Sequence, residues 1–425
     1  MRYRSEIDGL RAVAVVPVLF FHAGLPGFAG GFVGVDVFFV ISGYLITHVI
    51  LDDLERGRFS LVDFYERRAR RILPALTAVT LACVPAAWLL MTPPAMREFA
   101  NSVMAVATFS SNFLFWTESG YFATEAETKP LLHTWSLAVE EQFYILYPLL
   151  LIAAWRFGRL SVVALLLAIF VLSLALADRT AETAPATAFY LLPTRAWELL
   201  LGAFAAFRLQ RGPLVAPPRV GEALSGLGLA AILGAVLFYD ERTPFPGLHA
   251  LAPTLGALLV ILFAAPGARV HRLLSLRPVV WVGLISYSLY LWHQPILAFI
   301  RVGSVLEPSK PALLLGVLAA FPLAALTWLL VERPFRGAGA VFDRRRLFIA
   351  SGGVLSACLA VGLVLRVGEG FPSRLPPEAG RIAAVAETAP PRDCIFGDEG
   401  PPPAHPAPGC LSGASPRVIV SGDSH

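Results

Sequence analysis

An all-α fold that crosses a membrane many times is what the sequence predicts, and two observations carry the prediction. Hydrophobic residues make up 56% of the 425-residue chain and charged residues only 15%, against about 25% charged in an ordinary soluble domain. The apolar residues also fall in runs close to the ~20 residues that a helix needs to cross a hydrocarbon core. A backbone in lipid has to satisfy its own hydrogen bonds, so runs of this length read as helices. Eleven are read, over residues 10–24, 32–51, 72–91, 134–155, 160–177, 189–207, 223–238, 250–265, 279–300, 313–331 and 347–365. The first, seventh and eighth are the shortest. The first has arginines before it but no small-residue cleavage site, so it reads as a retained span.

The charges between the runs alternate. Residues 52–71 hold Arg56, Arg58, Arg67, Arg68, Arg70 and Arg71, and 156–159 hold Arg156 and Arg159. Residues 208–222, 266–278 and 332–346 are again arginine-rich. The intervening segments 92–133, 178–188 and 239–249 carry more acids than bases. The positive-inside rule then puts the N-terminus in the cytoplasm, and eleven crossings put everything after Arg366 outside. The net charge of +4 is explained by these loops, facing lipid headgroups, and implies no nucleic-acid partner. No metal and no bound cofactor are expected.

Ionisable residues within spans are costly and mark functional positions. Arg11 and His22 are eleven residues apart, close to three helical turns, so they share one face of the first span about 16 Å apart. Histidine exchanges a proton near neutral pH, which suits acid–base work; a ring bonded to a backbone carbonyl between helices is the bland alternative. His133 and Glu140, seven apart at the outer end of the fourth span, also share a face. Arg195 and Glu198, three apart in the sixth, read as a mutually neutralising pair. His293, near the outer end of the ninth, reads as an interfacial or hydrogen-bonding residue rather than a catalyst. Cys83 and Cys358 read as small core hydrophobes. Cys394 and Cys410, in the tail, could pair if that tail is extracytoplasmic.

Six motifs follow in order. Glu6-Ile-Asp-Gly-Leu10 leads into Arg11 and His22, and Gly34 to Tyr44 contains Phe38-Phe39 and Ser42-Gly43. Phe64 to Pro74 contains the arginine cluster, and His133 to Tyr144 contains Glu140 and Glu141. Ile285 to Pro295 and Val331-Glu-Arg-Pro334 complete the series. Together they resemble the integral-membrane acyltransferase family that O-acetylates cell-surface polysaccharides, over roughly residues 1–340. The resemblance implies a ten-helix acyltransferase unit, an eleventh tethering helix over 347–366, a periplasmic linker over 367–416, and the incomplete start of an SGNH-like α/β domain over 417–425. It places the chain in a bacterial inner membrane as an O-acyltransferase. The enzyme would move an acetyl or other short acyl group from cytoplasmic acetyl-CoA to a hydroxyl of an envelope glycan: lipopolysaccharide O-antigen, peptidoglycan or exopolysaccharide.

The implied roles fit the residue types. Arg67, Arg68, Arg70 and Arg71 would bind the phosphates of the donor, for which guanidinium groups are well shaped, together with Arg11. Arg68 and Arg71 match the family's Arg-x-x-Arg spacing, as do Arg67 and Arg70. His22 would be the general base, or else a transient acyl carrier, and Glu140 a second catalytic group beside His133. Ser42 and Gly43 would let the second helix approach its neighbours closely. In the tail, Ser424 of Gly422-Asp423-Ser424 corresponds to the SGNH nucleophile, but the later blocks of that motif set are absent, so a working second site cannot form from these residues alone. A secondary transporter is the runner-up, since in-span charges suit one as well, but no paired halves are found. A bare scaffold for an outer domain would leave the in-span charges unexplained.

Overall fold

The computed structural model describes residues 3–376, apart from 120–122, 213, 215, 241, 305 and 337–339. Cys394, Cys410 and Ser424 lie outside the described residues. Among the described residues every regular element is a helix. In chain order they are α1 Ser5–His22, α2 Gly34–Glu55, α3 Leu61–Leu90, α4 Pro93–Ala107, α5 Ser111–Glu118, α6 Thr134–Trp155, α7 Arg159–Thr183 and α8 Pro185–Tyr190. There follow α9 Leu192–Leu209, α10 Pro218–Phe238, α11 Leu251–Phe263, α12 Arg269–Leu274, α13 Arg277–Val302, α14 Lys310–Thr327 and α15 Arg344–Val367.

Each of the eleven apolar runs lies on a helix or helix pair. Seven of these (α2, α3, α6, α7, α10, α14 and α15) are long and apolar enough to cross a membrane by length and composition. The other four have identifiable reasons for falling short. Glu6, Asp8 and Arg11 charge α1, while Arg195, Glu198 and Arg208 charge α9. Tyrosines, serines, His293 and Gln294 dilute α13, and α11 has 13 residues.

Three boundaries differ from the sequence expectation. Residues 61–71 are helical, not loop. Ser60 caps α3 by accepting the Asp63 N–H, and arginine is a good helix former, so the helix starts two to three turns before the apolar run. Residues 92–133 are not a plain loop either. Thr92 caps α4 with Pro93 in its first turn, and Met96, Phe99 and Val103 turn one buried face onto α15 and α3. The expected run 189–207 breaks at Leu191, because Pro193 sits in the first turn of a new helix. The last helix, α15, packs along α4, so it is docked on the bundle rather than held by its ends alone.

Close packing in the centre depends on small residues. A Cβ built on Gly43 would lie 1.8 Å from the Leu199 carbonyl oxygen, and one on Gly202 would lie 1.9 Å from that of Val40. The α2 and α9 backbones are therefore in direct contact, as small residues permit within membranes. Beside this contact Arg195 is fully buried, with Nη1 3.1 Å from Asp36 Oδ1 and 3.0 Å from Glu198 Oε1. Its guanidinium carbon lies 5.2 Å from the ring centre of Phe39 and 5.6 Å from those of Trp135 and Phe189. The Arg195–Glu198 pair is thus part of a triad in which Asp36 joins α2 to α9. Cys83 and Cys358 are free and buried.

Candidate active site

The helices α1, α2, α3, α6 and α13 enclose a cavity of about 860 Å³, part of it open to solvent. One end is cationic. Arg11 of α1 and Arg68 and Arg71 of α3 line it. Arg68 and Arg71 are three apart on a helix and so project together, whereas Arg67 and Arg70 lie on adjoining faces. Arg67 pairs with Asp53 at 3.0 Å and is largely exposed. Arg70 pairs with Glu66 at 2.8 Å and donates to the Phe342 carbonyl. Of the four clustered arginines, the structure brings two to the cavity and engages the other two elsewhere. Arg68 lies over the Tyr144 ring at 5.6 Å, and its Nε has no hydrogen-bond partner among the described residues. Arg11 is 3.7 Å from Asp8.

The middle of the cavity is polar. Glu140 accepts a hydrogen bond from the Ser42 hydroxyl at 2.7 Å and another from Tyr144 at 3.3 Å. Ser42 thus reaches across from α2 to α6, while Gly43 on the neighbouring face meets α9. The Tyr290 hydroxyl is 2.8 Å from Ser136 Oγ and donates to the His133 carbonyl at 3.0 Å. Tyr287 donates to the Ile72 carbonyl at 3.0 Å and ties α13 to α3. The Val331–Pro334 motif supplies buried Glu332, which accepts from Ser288 of α13 and from Arg336.

The far end of the cavity is a cluster of three histidines. His133 lines the cavity, and neither of its ring nitrogens has a partner among the described residues. Its ring lies 5.5 Å from that of His293, which lies 5.2 Å from that of His22. His22 is one ring beyond the cavity wall. His293 Nε2 is 3.3 Å from His22 Nδ1, and His293 Nδ1 is 2.5 Å from the Tyr290 carbonyl. A carbonyl can only accept, so His293 Nδ1 carries the proton and its Nε2 is a lone pair. His22 Nδ1, 3.0 Å from the Val18 carbonyl, is protonated by the same argument and faces that lone pair. In the neutral ring this leaves His22 Nε2 free to take a proton. Arg301 donates to the His22 carbonyl and pairs with Glu127 at 2.7 Å, clamping the end of α1.

His293 is fully buried, which removes the interfacial reading and keeps the hydrogen-bonding one. Sequence reasoning passed over Tyr290, Tyr144, Glu332, Arg301 and Asp36. Their signal was position inside motifs and runs, but their partners are on helices far away in the chain.

The cavity, with cations at one end and histidines at the other, is cut into a bundle in which, among the described residues, seven helices are long and apolar enough to cross a membrane. The chain belongs to the acyltransferase domain family, whose model matches residues 4–332. It is 33% identical over 355 residues to the peptidoglycan O-acetyltransferase OatA of Listeria monocytogenes, covering 80% of this chain and 56% of that protein. It is 28% identical over 354 residues to the O-acetyltransferase OatA of Staphylococcus aureus, covering 80% of this chain and 58% of the relative. The chain therefore spans somewhat more than half the length of these relatives. No solved structure matches it.

Proposed function

We propose that this chain is the membrane portion of an O-acetyltransferase that moves an acetyl or other short acyl group from cytoplasmic acetyl-CoA to a hydroxyl of an envelope glycan. Family membership supports acyl transfer, and the arginine-rich loops support a cytoplasmic donor. Of the three glycans open from the sequence, the names of the relatives favour peptidoglycan over lipopolysaccharide and exopolysaccharide. The observation that carries the reading is the cavity itself. It joins Arg11, Arg68 and Arg71 to the histidine cluster over about the 16 Å that separates Arg11 from His22 along α1.

In this reading the donor's phosphates rest on Arg11, Arg68 and Arg71, where guanidinium groups give charge-assisted hydrogen bonds. The pantetheine arm runs along Ser42 and Glu140 and brings the thioester to the His133–Tyr290 wall. His22 Nε2 removes the proton of the attacking hydroxyl, as a positioned imidazole does in general base catalysis. The hydroxyl oxygen bonds to the acyl carbon, the carbon–sulfur bond breaks, and the thiolate leaves toward the cationic end. The Tyr290 hydroxyl and His133 ring are the polar groups nearest the developing oxyanion. Arg67 and Arg70 hold the helix that carries the phosphate ligands, through Asp53 and the Phe342 carbonyl. Ser424 and the outer domain it would begin belong to the onward handling of the acyl group. The test is transfer of radiolabelled acetyl from acetyl-CoA by purified protein in detergent, with His22→Ala as the control.

A further inference from the structure

A second cavity lies at the histidine end of the molecule, and nothing above uses it. It is an open-sided groove of about 1400 Å³ lined by Phe21, Phe32, Phe189, Tyr190 and Phe245 with Ser119, Glu182, Asp240 and Arg242. Apart from Phe21, Phe32, Phe189 and Tyr190, its walls come from three segments, 92–133, 178–188 and 239–249. These are the three acid-rich segments that the charge alternation puts on the outer face. The rings fall in two groups: Phe21 to Phe32 at 5.6 Å and Phe32 to Phe245 at 4.8 Å, and separately Phe189 to Tyr190 at 5.1 Å. Phe21 is the residue before His22, with the two ring centres 5.1 Å apart.

We infer that this groove seats the sugar chain of the acceptor and presents one of its hydroxyls to His22. The inference rests on the acyltransferase reading and names its acceptor subsite. Two features favour a pyranose chain. A pyranose has apolar C–H faces that stack on aromatic rings and an equatorial rim of hydroxyls that needs polar partners; the groove offers both. The polar partners are available, since Glu182 is exposed and neither it nor Arg242 makes an ion pair among the described residues. Asp240, in contrast, is held in its own turn by the Arg242 N–H and the Thr243 hydroxyl. A lipid tail would use the rings but leave Glu182 and Arg242 without purpose. The donor cavity and this groove then approach the histidine cluster from opposite sides, as a transfer across the membrane demands.

The probe is a β-1,4-linked N-acetylglucosamine tetramer. Its binding to the full chain is measured by saturation-transfer NMR in a detergent without a sugar headgroup. The expected result is binding by the wild type and at least a tenfold weaker Kd in Glu182→Gln and in Phe32→Leu. Glu182 is on the surface, so its variant keeps the fold even where Phe32→Leu does not. No binding by the wild type, or a Kd for Glu182→Gln within twofold of wild type, overturns the inference. Tetramer binding that depends on Glu182, in a protein that never transfers acetyl groups, would sink the acyltransferase reading and leave the groove assignment standing.

Discussion

His293 Nε2 faces His22 Nδ1 at 3.3 Å, from helices 271 residues apart in the chain. The Tyr290 carbonyl fixes the proton on the other nitrogen of His293. The Val18 carbonyl and this pair together hold the proton on His22 Nδ1 and aim its Nε2 lone pair away from α13. His293 is a positioning residue in this account. In His293→Leu the Val18 carbonyl still accepts from His22 Nδ1, so the loss is that of one weak hydrogen bond, about 0.5–1.5 kcal/mol. We expect His293→Leu to lower kcat by roughly two- to tenfold on that scale, with little change in donor KM. Glutamine can still accept from His22, so His293→Gln should recover most of the rate. Steady-state kinetics on the two variants checks this, and equal damage from both would argue for a purely steric role.

The arginines divide by geometry. Arg68 and Arg71 line the cavity, while Arg67 is exposed and paired with Asp53. Hydrogen bonds to charged groups contribute about 1.5–3 kcal/mol each, so Arg68→Ala and Arg71→Ala should raise the acetyl-CoA KM roughly ten- to hundredfold. Exposed ion pairs contribute about 0–1 kcal/mol, so Arg67→Ala should raise it by no more than about fivefold. Donor titration of the three variants separates phosphate binding from general positive charge at that end.

The contact between α2 and α9 leaves no room for a side chain at Gly43, where a Cβ would come 1.8 Å from the Leu199 carbonyl oxygen. Gly43→Ala should force the helices apart and destabilise the bundle by about 1–3 kcal/mol, the usual cost of overpacking. Ser42 is on the adjoining face and bonds to Glu140, so activity should fall together with stability. Thermal unfolding in detergent, followed by helicity, gives the measurement.

Arg195 is fully buried between Asp36 and Glu198. Removing one partner of a buried ionic cluster leaves uncompensated charge and costs about 3–5 kcal/mol. Arg195→Leu should therefore lower the unfolding temperature more than Gly43→Ala does. An additional Asp36→Asn, Glu198→Gln exchange in the same chain should recover part of the loss, because it removes the two stranded carboxylates. A triple variant no more stable than the single one would contradict the triad account.

The membrane-spanning runs were legible in the sequence because lipid imposes length and apolarity on each segment separately. The arginine cluster was visible in the sequence but was put in a loop, because charges beside an apolar run look like its boundary. The helix continues through them since Ser60 caps it and arginine tolerates a helix. The helices α4 and α5 were missed because one is amphipathic and the other short, so neither registers as an apolar run. Glu140 and His133 were found through their common face, and Arg11 with His22 likewise. His293, Asp36 and Tyr290 carry no such local signal. Their roles arise from partners brought together only by helix packing, as with Asp36 and Arg195.

The central claim is that His22, just beyond the histidine wall of a cavity that begins at Arg11, Arg68 and Arg71, activates an acceptor for a CoA thioester. The direct measurement is transfer of radiolabelled acetyl from acetyl-CoA to a β-1,4-linked N-acetylglucosamine oligomer by the purified chain, or release of free CoA where transfer needs the outer domain. The account predicts turnover by the wild type and a loss of about 10²–10⁴-fold in His22→Ala, the usual contribution of a positioned general base. Full turnover in a well-folded His22→Ala protein, or no reaction of the wild type with acetyl-CoA at all, would contradict it.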